Sequence, residues 1–92
     1  MPSWKLKISQ SVVKDLRDLP KDMRGKAALA ILELTITPYP SGSEKIKGHD
    51  KMYRIRTGDY RIVYEIGNEE VAIVAVSHRK EVYRELTHKR IE

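Results

Sequence analysis

The chain has 92 residues, of which 40% are hydrophobic and 34% are charged, and its formal net charge at pH 7 is +5. This length suits a single hydrophobic core, so we expect one domain over residues 1–92. The absence of cysteine excludes disulfides, thiolate zinc sites and a cysteine nucleophile. No apolar run reaches the roughly 20 residues that span a bilayer, and no signal-peptide core is present, so we expect a cytoplasmic protein.

The first predicted elements are a strand and two helices. Residues 4–8 alternate apolar and basic side chains, which is typical of a half-buried strand. Serines that can cap a helix then precede apolar residues at helical spacing, which predicts a short helix over residues 11–18. After a Leu-Pro break, a wide apolar stripe predicts a second helix from Lys21 to about Ile36. We interpret its leucines and alanines, including Leu29 and Leu32, as core.

The segment between the second helix and the centre of the chain predicts a loop. Residues 37–43 contain two prolines and a glycine, which cannot continue the helix. Basic residues follow, Lys47 among them. A solvated loop or a short edge strand explains these basic residues as well as a binding role does.

Residues 52–66, MYRIRTGDYRIVYEI, have the pattern of a β-hairpin that turns at its Gly-Asp pair. With this turn, Arg56 lies opposite Arg61. Strand side chains alternate between faces, so one face carries tyrosines and isoleucines while the other carries Arg54, Arg56 and Arg61. Like charges directly across a strand pair destabilise it. The three guanidinium groups therefore indicate an anionic ligand, and phosphate fits them best.

The end of the chain predicts a strand and a helix. Residues 71–77 are apolar on both faces, which indicates a strand in the interior of the sheet. His78 and Arg79 follow, and residues 81–88 have helical composition; on a helix, Arg79 and Tyr83 would share a face. The order is β-α-α-β-β-β-α. We predict an α+β fold in which a helical hairpin packs on one face of a small antiparallel-rich sheet, with a short C-terminal helix.

These segments, taken in order, resemble the RelE/ParE-type toxins of bacterial and archaeal toxin–antitoxin systems. The resemblance covers nearly the whole chain, from the helical pair with its Leu-Pro break, through the PYP…KIKG connector and the hairpin, to VAVSHRKEVYR. It implies the RelE-like fold. For the RelE branch it also implies a ribosome-dependent mRNA endoribonuclease, in which a ribose 2′-hydroxyl attacks the adjacent phosphate. Such a reaction needs a base and cations around the phosphate, and the resemblance implies neither a metal nor a cofactor.

The resemblance, together with the charge and position of nearby residues, gives a set of candidate site residues. Those with catalytic roles are Arg61, Arg79 and Tyr83. Those expected to bind RNA phosphates are Arg54, Arg56, Lys47 and His78. The catalytic arginines would stabilise charge on the phosphate, and the tyrosine would stack on a base and act as, or orient, the general base. RelE-like nucleases often have lysines where Arg54 and Arg56 stand. Because a guanidinium group stays protonated at physiological pH, neither arginine can be the base, and His78 is the other titratable candidate.

Two other functions remain open at this point. One is a ParE-like toxin that inhibits DNA gyrase by binding, and the other is an inactive member that binds its antitoxin and co-represses transcription. In all three cases the resemblance implies a cognate antitoxin as partner, and the positive net charge agrees with an acidic one. For Arg54 and Arg56 a structural explanation is also open, namely a solvated sheet face with Glu65 as partial counter-charge.

Overall fold

The computed structural model describes residues 4–78, and for Ser77 and His78 it describes the strand pairing alone. In chain order the elements are β1 (Lys5–Ile8), α1 (Gln10–Arg17), α2 (Lys21–Leu34), β2 (Glu44–Lys45), β3 (Met52–Thr57), β4 (Tyr60–Ile66) and β5 (Glu70–His78). The five strands form one sheet in the order β1-β5-β4-β3-β2. Only β1 and β5 run parallel; the other neighbours are antiparallel. The predicted α+β class and antiparallel-rich sheet are confirmed, and the predicted helix over residues 81–88 lies outside the described residues.

α1 begins after a capping serine, whereas α2 begins after a proline that provides no side-chain cap. Ser9 Oγ accepts a hydrogen bond of 3.3 Å from the Val12 amide and so closes the first turn of α1. Pro20 precedes α2, and its carbonyl accepts a hydrogen bond of 2.9 Å from the Arg24 amide. α2 ends two residues earlier than predicted, at Leu34. In the part of the chain that the structure describes, no helix is long and apolar enough to cross a membrane.

The β3–β4 hairpin has the predicted register. Its pairs include Thr57–Tyr60, Arg56–Arg61, Ile55–Ile62 and Tyr53–Tyr64. Gly58 opens the two-residue turn with a φ of 60°, the positive value that a type II′ turn requires at this position. A Cβ on Gly58 would lie 2.9 Å from Met23 Cε of α2. The positive φ of the turn therefore favours glycine here, and the flexible end of the Met23 side chain lies against it.

The two helices cover one face of the sheet and form the main core with it. The buried residues of this core are Val12, Leu19, Ala27, Ile31, Leu34, Ile62, Tyr64, Ile66, Val71, Ile73 and Val76. The predicted packing of the tyrosine and isoleucine face against the helical pair is thus confirmed. So is the interior position of β5, which lies between β1 and β4.

The opposite face of the sheet carries a second, smaller apolar cluster, formed by Ile46, Met52, Val63 and Ala75. A β-bulge in β5 contributes to it. Val63 pairs with Ala75 but the next residue of β4 pairs with Ile73, so Val74 is an extra residue in β5. Val74 packs against the cluster as well. β5 thus contributes apolar side chains to the main core and to the smaller cluster.

The prediction that every leucine of α2 belongs to the core is wrong for Leu29 and Leu32. Their exposed fractions are 59% and 57%. The core face of the helix consists of Ala27, Ile31 and Leu34. Because successive helical residues are rotated by about 100°, Leu29 and Leu32 lie on the far side of the helix from this face. The apolar stripe in the sequence is so wide that it includes residues on the core face of α2 and on its exposed face.

The two edges of the sheet differ. β1 forms one edge, and its Lys5 and Lys7 side chains are exposed. At the other edge, the two-residue strand β2 pairs only with Tyr53 and Arg54 of β3. The short edge strand that we left open for the basic segment is therefore present. Beyond it, the outer side of β3 has no paired strand from residue 55 to residue 57 within the described part of the chain.

Candidate functional site

Three arginines meet at one surface cavity on the face of the sheet opposite the helices. The cavity has a volume of about 320 Å³ and is lined by Ser41, Gly42, Glu44, Arg54, Ile55, Arg56 and Arg61. Arg54 and Arg56 belong to β3, and Arg61 lies on β4 directly opposite Arg56. The structure thus brings together three of the site residues that we predicted from the sequence. We call this space the arginine cavity.

Glu44 is a carboxylate partner of Arg54. Its Oε2 lies 3.5 Å from Arg54 Nη2, and the Arg54 side chain is 23% exposed. The two residues are paired in the β2–β3 register. Glu65, the counter-charge suggested by the sequence, instead pairs with Met52 at the open end of the hairpin. Because exposed ion pairs stabilise a protein by only about 0–1 kcal/mol, Glu44 offsets the arginine charge without removing the preference of the cavity for anions.

A tight turn forms the wall of the cavity that faces the arginines. The Ser43 amide donates a hydrogen bond of 3.0 Å to the Pro40 carbonyl, and Gly42 has a φ of 92°. A glycine with positive φ at this position defines a type II turn. The turn places Ser41 and Gly42 in the cavity lining. The sequence shows a turn here, but its position beside the arginines depends on tertiary packing and was not foreseen.

Tyr64 holds the start of this connector on the sheet. Its hydroxyl donates a hydrogen bond of 2.8 Å to the Pro38 carbonyl. Its ring stacks on Tyr53 with centroids 6.0 Å apart, and Tyr53 meets Tyr39 edge-on at 5.4 Å. Burial raises the pKa of Tyr64 to about 12, so this phenol stays protonated at neutral pH. Tyr64 is therefore a buried hydrogen-bond donor that positions the connector.

The remaining predicted site residues are not among those described in the lining of the arginine cavity. Lys47 is exposed and follows β2, and it is not among the residues that line the arginine cavity. His78 ends β5, where its backbone pairs with Tyr60. Arg79 and Tyr83 lie outside the described residues. The roles of all four nominated residues in this group therefore stay predictions.

The arginine cavity has the chemistry of a phosphate site. Guanidinium groups present planar, paired donors that match phosphate oxygens, and several of them around one site favour an anionic transition state. No histidine, tyrosine or lysine is among its described lining residues. Within residues 4–78 no cluster of three or more histidine and carboxylate side chains could hold a metal ion. The charge and the donor geometry of the arginine cavity are therefore suited to binding an anion such as a phosphate.

The profile of the ParE toxin of type II toxin–antitoxin systems, parDE, matches residues 6–83. Over 83 residues the chain is 34% identical to toxin RelE3 of Methanocaldococcus jannaschii, with 86% of this chain and 94% of that protein covered. Its fold is similar to that of a mutant E. coli toxin RelE in the free state, with a TM-score of 0.77, 26% identity and coverage of 98% and 99%. It is also similar to a chain of the RelB–RelE antitoxin–toxin complex from Methanococcus jannaschii, with a TM-score of 0.71, 32% identity and coverage of 84% and 94%.

Proposed function

Since this chain belongs to the RelE/ParE family of type II toxin–antitoxin toxins, we propose that it is a metal-independent endoribonuclease that cleaves mRNA on the ribosome in the cytoplasm. The main support is the arginine cavity, where Arg54, Arg56 and Arg61 share one concave surface. A surface that serves only to bind another protein has no need of an arginine placed directly opposite another, because that pairing destabilises the sheet.

The reaction is an attack of a ribose 2′-hydroxyl on the phosphorus of the adjacent phosphate. A new bond to the 2′-oxygen forms, the bond to the 5′-oxygen of the next nucleotide breaks, and a proton moves from the 2′-hydroxyl to a base while another reaches the leaving oxygen. The products are a 2′,3′-cyclic phosphate and a free 5′-hydroxyl. Negative charge builds up on the phosphate in the transition state, where fixed cations are most effective.

We assign the work of this reaction to three kinds of side chain. Arg54 and Arg56 bind the phosphate, and Arg61 stabilises the charge that develops on it. Arg79 acts on the same charge or on the leaving oxygen. Guanidinium groups stay protonated in proteins, so we assign the general base to Tyr83, with His78 as the second candidate.

We also propose that a separately encoded antitoxin binds this chain. Similar chains form RelB–RelE antitoxin–toxin complexes. The net charge of +5 favours an acidic partner. Co-expression with the product of the neighbouring gene is expected to give a complex and to relieve growth inhibition. If that product neither binds the chain nor relieves toxicity, the proposal of a separately encoded antitoxin fails.

A second candidate function is inhibition of DNA gyrase by binding. The match to the ParE profile favours it. This function needs no general base and no cleavage, so it predicts intact mRNA and a loss of DNA supercoiling. The two candidates therefore differ in the nucleic acid that responds to the toxin.

A translation extract separates the two functions. On adding the purified chain, we expect new mRNA ends at codon-related positions, and we expect Arg61→Ala and Arg79→Ala to abolish them. Arg17→Ala is the matched control, because Arg17 is an exposed arginine of α1 outside the arginine cavity. A parallel gyrase reaction should keep its supercoiling activity. Intact mRNA together with blocked supercoiling would overturn the nuclease function.

A further inference from the structure

A groove runs between α2 and the outer edge of β3, and it opens into the arginine cavity. Its volume is about 400 Å³, which lies within the range of pockets that bind small molecules. Ser41, Ile55 and Arg56 line both spaces. A ligand whose charged end lies in the arginine cavity can therefore extend into the groove without a break. We call this space the α2–β3 groove.

The helical wall of the groove consists of residues on one side of α2, at the spacing i, i+3, i+4 and i+7 that defines one face of a helix. They are Lys26, Leu29, Ala30 and Glu33. Met23, about one turn before Lys26, lies against Gly58 in the hairpin turn. Lys26 therefore marks the end of the groove nearest this turn. Because seven residues of helix rise by about 10 Å, Glu33 marks the far end.

The middle of the groove is apolar. Leu29 and Ala30 form this part of the wall on α2, and Pro40 and Ile55 add apolar surface from the connector and from β3. Leu29 is exposed, so its side chain is available for contact. Proteins that take up an unstacked base hold its ring between apolar or aromatic side chains. The middle of the groove is therefore suited to a nucleobase.

Glu33 supplies hydrogen-bond acceptors at the far end of the groove. The residue is exposed, and among the described residues no cation forms an ion pair with its carboxylate. A carboxylate accepts hydrogen bonds and cannot donate them. It also repels phosphate groups, since like charges repel. In a groove that opens from a phosphate site, this carboxylate therefore suits the donor groups of a base and not the RNA backbone.

Guanine is the base whose donors match a carboxylate. On its Watson–Crick edge the N1–H group and the 2-amino group lie side by side, so they can donate two parallel hydrogen bonds to the two oxygens of one carboxylate. Adenine and cytosine present a single amino group beside an acceptor nitrogen, and uracil presents one N–H group between two carbonyl groups. Proteins read unpaired RNA bases on this edge. The acceptors of the other three bases would face the carboxylate oxygens and be repelled.

We propose that the α2–β3 groove binds a guanine base of the mRNA while a neighbouring phosphate lies in the arginine cavity. Glu33 accepts hydrogen bonds from the N1–H and 2-amino groups, and the ring lies between Leu29 and Ile55. Arg56, which lines both spaces, binds the phosphate. Phosphate contacts position RNA, whereas base contacts specify its sequence. Glu33 is thus a specificity-determining residue that selects where the mRNA is cut. This inference rests on the proposed function, because it takes mRNA as the ligand.

The first test measures binding to the full chain by isothermal titration calorimetry and requires no catalysis. The probes are the nucleoside 3′,5′-bisphosphates of the four RNA bases, which carry a phosphate on either side of the ribose. We expect the guanosine compound to bind about tenfold more tightly than the other three, as is typical of a two-bond contact to a base. The inosine compound, which lacks only the 2-amino group, should bind with intermediate affinity. Equal binding of all the probes would overturn the proposal.

Three variants assign the preference to its residue. Glu33→Gln replaces one acceptor oxygen by an amino group and keeps a good helix former, so we expect the preference for the guanosine compound to fall about tenfold. Arg56→Ala should weaken all four probes by a similar factor, because a phosphate contact carries no sequence information. Glu65→Gln is the matched control, since Glu65 is an exposed glutamate of β4 that lines neither space. A full preference in Glu33→Gln would mean that Glu33 does not read the base.

The second test maps mRNA ends in a translation extract. We expect guanine at one fixed position beside the cut for the unaltered chain and for Glu65→Gln, and a preference about tenfold smaller for Glu33→Gln. Cleavage without base preference, together with selective binding of the guanosine compound, would mean that the ligand is a free guanine nucleotide and that the assignment to mRNA is wrong. Intact mRNA with selective binding would overturn the nuclease function and support the guanine site. If no probe binds and Glu33→Gln weakens antitoxin binding, the groove is a protein-binding surface and the proposal is wrong.

Discussion

The two faces of the β3–β4 hairpin differ in burial and charge although a single register sets both. On the face toward the helices, Ile62 and Tyr64 are completely buried. On the opposite face, Arg56 lies directly across from Arg61 beside an open cavity. Burying one isoleucine contributes about 1.5–3 kcal/mol, whereas a like-charge pair costs about 0.2–1 kcal/mol. The covered face therefore stabilises a register that the arginine face alone would disfavour. The residues that stabilise the fold are thus separate from the arginines that we propose act in cleavage.

The strongest test of this separation compares two neighbours on β4. Ile62→Ala should lower the free energy of unfolding by about 2–5 kcal/mol, because it opens a cavity in the core. Arg61→Ala should change it by less than about 1 kcal/mol, yet slow mRNA cleavage by about 100- to 1,000-fold. Urea denaturation and cleavage in a translation extract measure the two effects. Equal destabilisation by both variants would mean that the faces are not separable.

A second test uses pH and concerns the covered face. The pKa of Tyr64 is raised to about 12 in the folded chain, compared with about 10 for an unperturbed tyrosine. Its contribution to stability is complete below pH 10 and is lost as the pH rises toward 12, because only the unfolded chain readily releases the proton. The shift corresponds to about 2–3 kcal/mol. Urea denaturation at a series of pH values should show this loss for the unaltered chain and for Tyr53→Phe, but not for Tyr64→Phe. The same slope in all three proteins would contradict it.

A third test asks whether the arginine face needs guanidinium geometry or only positive charge. Arg61→Lys keeps the charge but loses the planar fork that binds two phosphate oxygens. We expect cleavage to slow by about tenfold, less than for Arg61→Ala. Arg17→Lys on α1 is the control and should leave the rate unchanged. Full activity of Arg61→Lys would show that a point charge is sufficient.

The smallest expected effect concerns the carboxylate beside the arginines. Glu44→Gln removes the negative charge that lies 3.5 Å from Arg54, and it should alter stability by less than about 1 kcal/mol. With more of the arginine charge available, we expect a short RNA to bind about two- to threefold more tightly. The salt dependence should steepen by up to about 0.7 in logarithmic slope for one further phosphate contact. Fluorescence anisotropy at several salt concentrations measures both. An unchanged slope would mean that Glu44 does not compete with RNA.

Sequence reasoning predicted the hairpin because its determinants are local. The Gly-Asp turn fixes the partners of every later pair, and strict alternation fixes the faces, so the opposition of Arg56 and Arg61 followed directly. The start of α2 is likewise determined by a neighbouring residue, Pro20. The convergence of Arg54, Arg56 and Arg61 could therefore be predicted from the order of residues alone.

Other parts of the fold depend on contacts between distant segments. Leu29 and Leu32 were assigned to the core because a wide apolar stripe does not reveal which side of a helix meets the sheet. The Arg54–Glu44 pair arises from a two-residue strand that no periodicity can indicate. The parallel pairing of β1 with β5 was not predicted either, because it joins residues near opposite ends of the described chain. The cavity wall at Gly42 was missed for the same reason.

The two edges of the sheet differ in their side chains and in their strand pairing. This difference limits how copies of the chain can pair edge to edge. Growth of a fibril by strand addition needs an acceptor edge on both sides of every molecule. Here β1 has exposed Lys5 and Lys7 side chains at one edge. At the other edge, within the described residues, β3 has no paired strand from residue 55 to residue 57. Lysines at an edge discourage a further strand from pairing there. We therefore expect strand addition to stop after one partner, so that the free toxin resists polymerisation even at high concentration.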